Sequence, residues 1–155
     1  MSDTDAPTGI RDRIEATMWA RHENPWSGWT RVPAGPALVL AVYLRSKRLL
    51  AAVLAWTAIN PFVFSPPDED IESWMTRGVR AERWWLGRGN GTMGLGWPNA
   101  LNVAGAVAFV AALVGAVARR PRETAVAAVL ASALKFAWIE AIARHYDRRD
   151  ENDGT

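Results

Sequence analysis

Residues 98–118 read PNALNVAGAVAFVAALVGAVA, a run without a charge, and its reading decides the fold. Pro98 stands at its start, where a missing N–H does no harm. A run this long and apolar predicts a helix able to cross a bilayer, which takes about 17–25 residues. Arg119-Arg120-Pro121-Arg122 then makes a tight basic turn. A last helix is expected over 123–143, ETAVAAVLASALKFAWIEAIA, with Lys135 and Glu140 inside it. Ala104, Ala108, Ala112 and Ala116 recur at spacing four, as do Ala133, Ala137 and Ala141, and again Ala127 and Ala131. Small residues at this spacing let transmembrane backbones approach closely. The two segments are therefore expected to pair as an antiparallel hairpin.

Toward the N-terminus a second apolar block runs from Pro36 to Phe64, interrupted by Arg45-Ser46-Lys47-Arg48. As one span it would hold three cations near its middle, at about 2.5–3.5 kcal/mol each. A hairpin with the cations in its turn removes that cost, so helices are expected over 36–45 and 49–60. Both arms are short for a span. Asn60-Pro61 and Ser65-Pro66-Pro67 are expected to stop the second arm, because the residue before proline avoids the helical region. Asn24 and Asn60, each before proline, suit local turn hydrogen bonds.

The remaining segments mix indole with charge. Residues 1–9 are polar and expected to be disordered, without the apolar core of a signal peptide. Ile10, Ile14 and Met18 recur at spacing four, predicting a short amphipathic helix over 10–22 that ends at Asn24-Pro25. The stretch 21–31, RHENPWSGWTR, sets Trp26 and Trp29 between His22 and Arg31. Residues 68–88 carry the row Ile71, Trp74, Met75, Val79, with Arg77, Arg80, Arg83 and Arg88 on the polar side and Gly78 as a potential break. Trp84, Trp85 and Trp97 follow, and Trp138 lies near the end of the last helix. Indole rings favour the headgroup zone, and arginine beside them buries its stem while its head stays wet. Two hairpins gather these residues at one membrane face and leave only the two basic turns at the other.

The expected architecture is thus all-α. It is a small polytopic membrane bundle of about four embedded helices in two hairpins, with interfacial amphipathic helices and one domain over 10–143. A charged, frayed tail occupies 144–155. The expected location is the cell (plasma) membrane, multi-pass, with both termini inside. Arginine counts favour that orientation, although cation density in the short turns points the other way.

Composition excludes several chemistries. The chain has no cysteine, so disulfides, thiolate metal sites and thiol nucleophiles are ruled out. A net charge of +2 gives no support to nucleic-acid binding. Gly89-Asn90-Gly91-Thr92-Met93-Gly94 matches a phosphate-loop spacing, but no strand is expected before it, and it reads as a flexible interfacial loop. His22, Glu23, Glu82, His145 and Asp147 could gather at one face, yet their spacing is not that of metal ligands, and no metal or cofactor is expected. No catalytic motif is present. Lys135 and Glu140 are functional suspects as ions inside a membrane helix. Spacing five is poor for a direct pair, whereas Glu140 and Arg144 at spacing four suit one. Asn99, Asn102 or a carbonyl is the expected partner of Lys135.

Three motifs, HENPWSGWTR (22–31), INPFVF followed by PP (59–67) and WMTRGVRAERWW (74–85), together resemble an uncharacterised family of small prokaryotic integral membrane proteins frequent in haloarchaea. The resemblance covers roughly the first 90 residues and implies a membrane protein without implying an activity. The candidate binding or interfacial residues are His22, Asn24, Trp26, Trp29, Arg31, Trp74, Arg77, Glu82, Arg83 and Trp85, and the candidate intramembrane polar residues are Asn102, Lys135 and Glu140. The expected role is binding or assembly, as an oligomer subunit or with a membrane-protein partner in the lipid bilayer. The alternative is a small transporter or channel component using Lys135 and Glu140, and a membrane enzyme using His22 and Glu23 stands third.

Overall fold

The computed structural model describes residues 9–68 and 73–153. The residues expected to be disordered at the start (1–8), and Ile71, lie outside them. Among the described residues the chain is all-helical: α1 (Ile10–His22), α2 (Pro25–Arg31), α3 (Ala34–Tyr43), α4 (Lys47–Val63), α5 (Trp74–Gly87), α6 (Asn99–Val117) and α7 (Pro121–Asp153). Two of them, α6 and α7, are long and apolar enough to cross a membrane. The 10 residues of α3 fall short of a span, and α4, whose 17 residues begin with Lys47 and Arg48, is not among the candidate spans.

The α6–α7 pair is the spine. Ala108, Ala112 and Ala116 are buried, together with Gly105 and Gly115, so one side of α6 is a strip of small residues. A methyl group on Gly115 would come within 2.8 Å of Thr124 Oγ1 on α7. That approach is the close packing expected of small residues, but the contact row differs from the alanine ridges. Ala104, Ala133 and Ala137 are exposed, and on α6 Gly105 and Gly115 join the buried row instead. Helix α3 lies on this spine through Val39, which packs with Ala112 and Ala116 beside Tyr43 and Phe109. Helix α5 packs on the far end of α7, where Ala81, Trp138, Ile142 and Ala143 form a second core.

Both basic turns use one device. After α3, Ser46 N donates to Ala41 O and Arg45 N to Val42 O; after α6, Arg120 N donates to Gly115 O and Arg119 N to Ala116 O. These are paired Schellman closures, which place one residue in the left-handed region. The residues there are arginines, Arg45 at φ 52° and Arg119 at φ 57°. Arg119 stacks over Tyr43 at 5.4 Å, so the two turns share one end of the bundle.

Several boundaries differ from expectation. Helix α4 runs through Pro61 to Val63 instead of stopping at Asn60. Proline in a last turn removes few helical hydrogen bonds, and the freed end is held from outside: Arg21 donates to Phe62 O at 2.7 Å and Asn24 to Ser65 O at 2.9 Å. Asn60 makes no local turn; it is fully buried and bonded to another helix. Asn24 does cap locally, accepting from Trp26 N; α1 ends at His22 as expected, and Pro25 then opens α2, a helix that was not expected. Gly78 does not break α5. It is buried, and a methyl group there would stand 2.7 Å from Ile139. Helix α7 continues past Ala143 to Asp153 because Arg77 pairs with Asp147 and Tyr146 packs edge-on against Trp84.

Candidate functional site

Helix α2 is short but polar along one edge. Ser27, Thr30 and Arg31 recur at spacing three and four, which puts them side by side. Gly28, between them, lies against Met75 so closely that a methyl group there would clash with the thioether. That seats α2 against α5 and aims Arg31 into a cleft of about 470 Å³ between α2, α3, α5, α6 and α7.

The cleft has a charged end and an apolar end. At the charged end stand His22, Arg31, Glu82, Asn102 and Lys135; Val32, Met75, Phe109, Phe136 and Ile139 line much of the rest. Lys135 Nζ lies 3.7 Å from Glu82 and 4.0 Å above the Trp138 ring. Its partner is therefore a carboxylate on α5, not Asn99 or Asn102 as expected. Asn102 instead donates to Thr92 O at 2.9 Å, and Asn99 accepts from Trp138 Nε1 at 3.2 Å.

Behind Arg31 runs a hydrogen-bond chain whose direction is fixed by chemistry. A guanidinium only donates, so the Arg31 Nη1 contact to His22 Nε2 at 3.2 Å makes that nitrogen an acceptor. The ring proton then sits on Nδ1 and is donated to Ser27 Oγ at 3.0 Å. Ser27 Oγ donates to Asn60 Oδ1 at 2.9 Å, and Asn60 Nδ2 donates to Thr30 Oγ1 at 2.9 Å. The chain ends where Thr30 Oγ1 donates to Trp26 O at 2.6 Å. Burial, with Arg31 second, pushes the His22 pKa down from 6.5 to about 4, which keeps the imidazole neutral and able to accept. Burial also lowers the pKa of Arg31, against the pull of Glu82.

The other expected site residues fall outside the cleft. Trp74 donates to Glu140 at 2.8 Å and stacks with Trp29 at 6.0 Å. Glu140 is held by Arg144 at 2.9 Å, the expected spacing-four pair, and by Arg77 at 3.3 Å. The bond to Asp147 raises the pKa of Arg77 further. Arg83 and Arg80 share Glu23. Asn24 is a helix cap. Trp26 is 65% exposed and Trp97 68%, whereas Trp138 is fully buried rather than interfacial, because α7 extends well beyond it. Among the described residues no three His, Asp or Glu side chains converge as metal ligands; Glu23 and Asp147 are taken by arginines and His145 faces Trp85. The glycine loop is pinned rather than loose. Trp85 and Asn99 both donate to Gly91 O, at 3.0 and 2.8 Å, which ties the loop to α5 and α6.

Ser27, Thr30 and Asn60 are the members of this site that the sequence reading missed. The available signal was the polar edge of 27–31 and a lone asparagine closing the apolar run 49–60.

A family model matches residues 11–150, so the chain belongs to that family, described as "Family of unknown function (DUF6653)". The match extends over the C-terminal helix pair as well as the tryptophan-rich segments. No curated protein and no solved structure matches the chain.

Proposed function

We propose that the chain is an integral membrane protein in which α6 and α7 cross the bilayer and the elements around them build a ligand-binding cleft at its edge. The observation that carries this is uncovered apolar surface. Val107, Val110, Val114 and Val117 form a stripe along α6 that is 65%, 58%, 63% and 65% exposed. Of the apolar windows of the two helices, only 28% in α6 and 11% in α7 is buried, where a core helix of a soluble protein would be mostly covered. A continuous apolar surface of this kind needs a partner, and lipid is the partner that suits two long helices side by side.

The expected outcome is that the full chain stays in the membrane pellet after alkaline carbonate extraction. Release as a soluble monomer would overturn the reading. The binding reading is favoured over a transport path because Lys135 and Glu140 do not share a route: Lys135 lines the cleft, while Glu140 is tied to Arg77, Arg144 and Trp74 outside it. Flux through vesicles that disappears in Lys135→Leu with the fold intact would restore the transport reading.

A further inference from the structure

Among the described residues that line the cleft, two cations, Arg31 and Lys135, stand with a single carboxylate, Glu82. Among the described residues Arg31 makes no ion pair within 4 Å; its hydrogen bond goes to the lone pair of His22. Among the described residues the other donors of the guanidinium fork have no hydrogen-bond partner. Its neighbour Lys135 is already matched by Glu82. Two cations and one carboxylate leave one positive charge at this end of the cleft. His22 grips Arg31 from behind, and the chain through Ser27, Asn60 and Thr30 fixes His22, so the guanidinium is held in place before any ligand arrives. From Lys135 the lining continues along α7 through Ser132 and Ala131 to Ala128, a distance of roughly 10 Å at 1.5 Å per residue, with Phe109 of α6 also in the lining. Its volume of about 470 Å³ falls within the usual range for a small-molecule site.

We infer that this cleft binds an amphipathic monoanion, its charged head on Arg31 with Lys135 alongside and its acyl chain along Phe109 and Ala128 between α6 and α7. The inference rests on the membrane reading above and names the ligand class for its cleft. Carboxylate and phosphodiester heads share the required chemistry: one negative charge and two acceptor oxygens for the open fork of an arginine. A free fatty acid and an anionic phospholipid are the two sources. Arg31 is the docking residue, and His22 is a positioning residue that acts through it.

The test uses the full chain purified in an uncharged detergent, with binding followed by thermal unfolding and by titration calorimetry. The probes are dodecanoate, dodecanol and phosphatidylglycerol. Dodecanoate or phosphatidylglycerol should raise the unfolding temperature while dodecanol does not, and whichever anion binds identifies the source. Arg31→Gln should weaken that binding by tenfold or more, as expected for loss of a charged hydrogen bond. Arg31→Lys, which keeps the charge but not the fork, should fall between. If Arg31→Gln does not fold, Arg31→Lys and His22→Ala, which removes the acceptor behind the guanidinium, carry the comparison, and unchanged affinity in both overturns the inference. Equal shifts with dodecanol and dodecanoate also overturn it. Carbonate extraction separates the two levels: a protein that stays embedded yet ignores both anions refutes the ligand class alone, whereas release from the membrane refutes the parent reading.

Discussion

His22 is useful to Arg31 only while it is uncharged, and this makes the pair sensitive to acid. The folded imidazole titrates near about 4 against 6.5 for an ordinary one, so the unfolded chain takes up the proton first. The stability contributed by the neutral ring is complete above 6.5 and is lost as pH falls from 6.5 towards about 4. The whole shift corresponds to about 3 kcal/mol, and solvent screening at this partly exposed position reduces it to about 1–2 kcal/mol. His22→Gln can still accept from Arg31 and donate to Ser27, but it cannot titrate. Its unfolding midpoint should therefore decline less between pH 6.5 and about 5 than that of the parent; parallel declines would overturn the assignment. At this scale the sequence showed the right residue types without their partners. His22, Arg31, Glu82, Asn102 and Lys135 were all recognisable as polar groups in odd places, but Lys135 and Glu82 are brought together only by the packing of α5 on α7.

Helix by helix, legibility followed length. The charge-free run of α6 announced itself, and the turn at Arg45-Ser46 followed from the cost of burying cations. The seven residues of α2 did not, because a helix that short owes its existence to tertiary contacts rather than to its own periodicity. The same holds for the last turn of α4, where Arg21 and Asn24 hold carbonyls that proline would otherwise leave open. Small residues between helices provide a sharper test than boundaries. Gly115→Ala places a methyl group 2.8 Å from Thr124 Oγ1 and 3.2 Å from Thr124 N; the backbone atom cannot step aside, and the cost should be about 1–3 kcal/mol. Gly35→Ala meets nothing nearer than Phe109 at 3.9 Å and should stabilise α3 by about 0.5–1 kcal/mol. Denaturant titration in detergent should give the two substitutions opposite signs; the same sign for both would sink the packing account.

For the molecule as a whole, the proposed membrane reading raises the question of which end faces which compartment. With no native cysteine, single replacements are clean probes. Cysteines at Ser46 and Pro121 should label from one side of intact cells, and cysteines at Ser73 and Asn90 only after lysis, as an N-in arrangement requires. Ser46 and Pro121 on opposite sides would mean that residues 34–63 form a single crossing. The same labels apply to the paired turns. Glycine is the usual occupant of the position held by Arg45 and Arg119, and a side chain there costs about 1 kcal/mol. Glycine at both positions should therefore leave a protein that is harder to melt. It should also remove two of the cations that bias which loops stay behind during insertion. The double variant would fold well and sit in the bilayer both ways up, a mixed population that the labels would count directly. A chain shaped by folding alone would carry glycine at those corners; arginine there is what the proposed membrane reading expects of a sequence that must also specify its orientation.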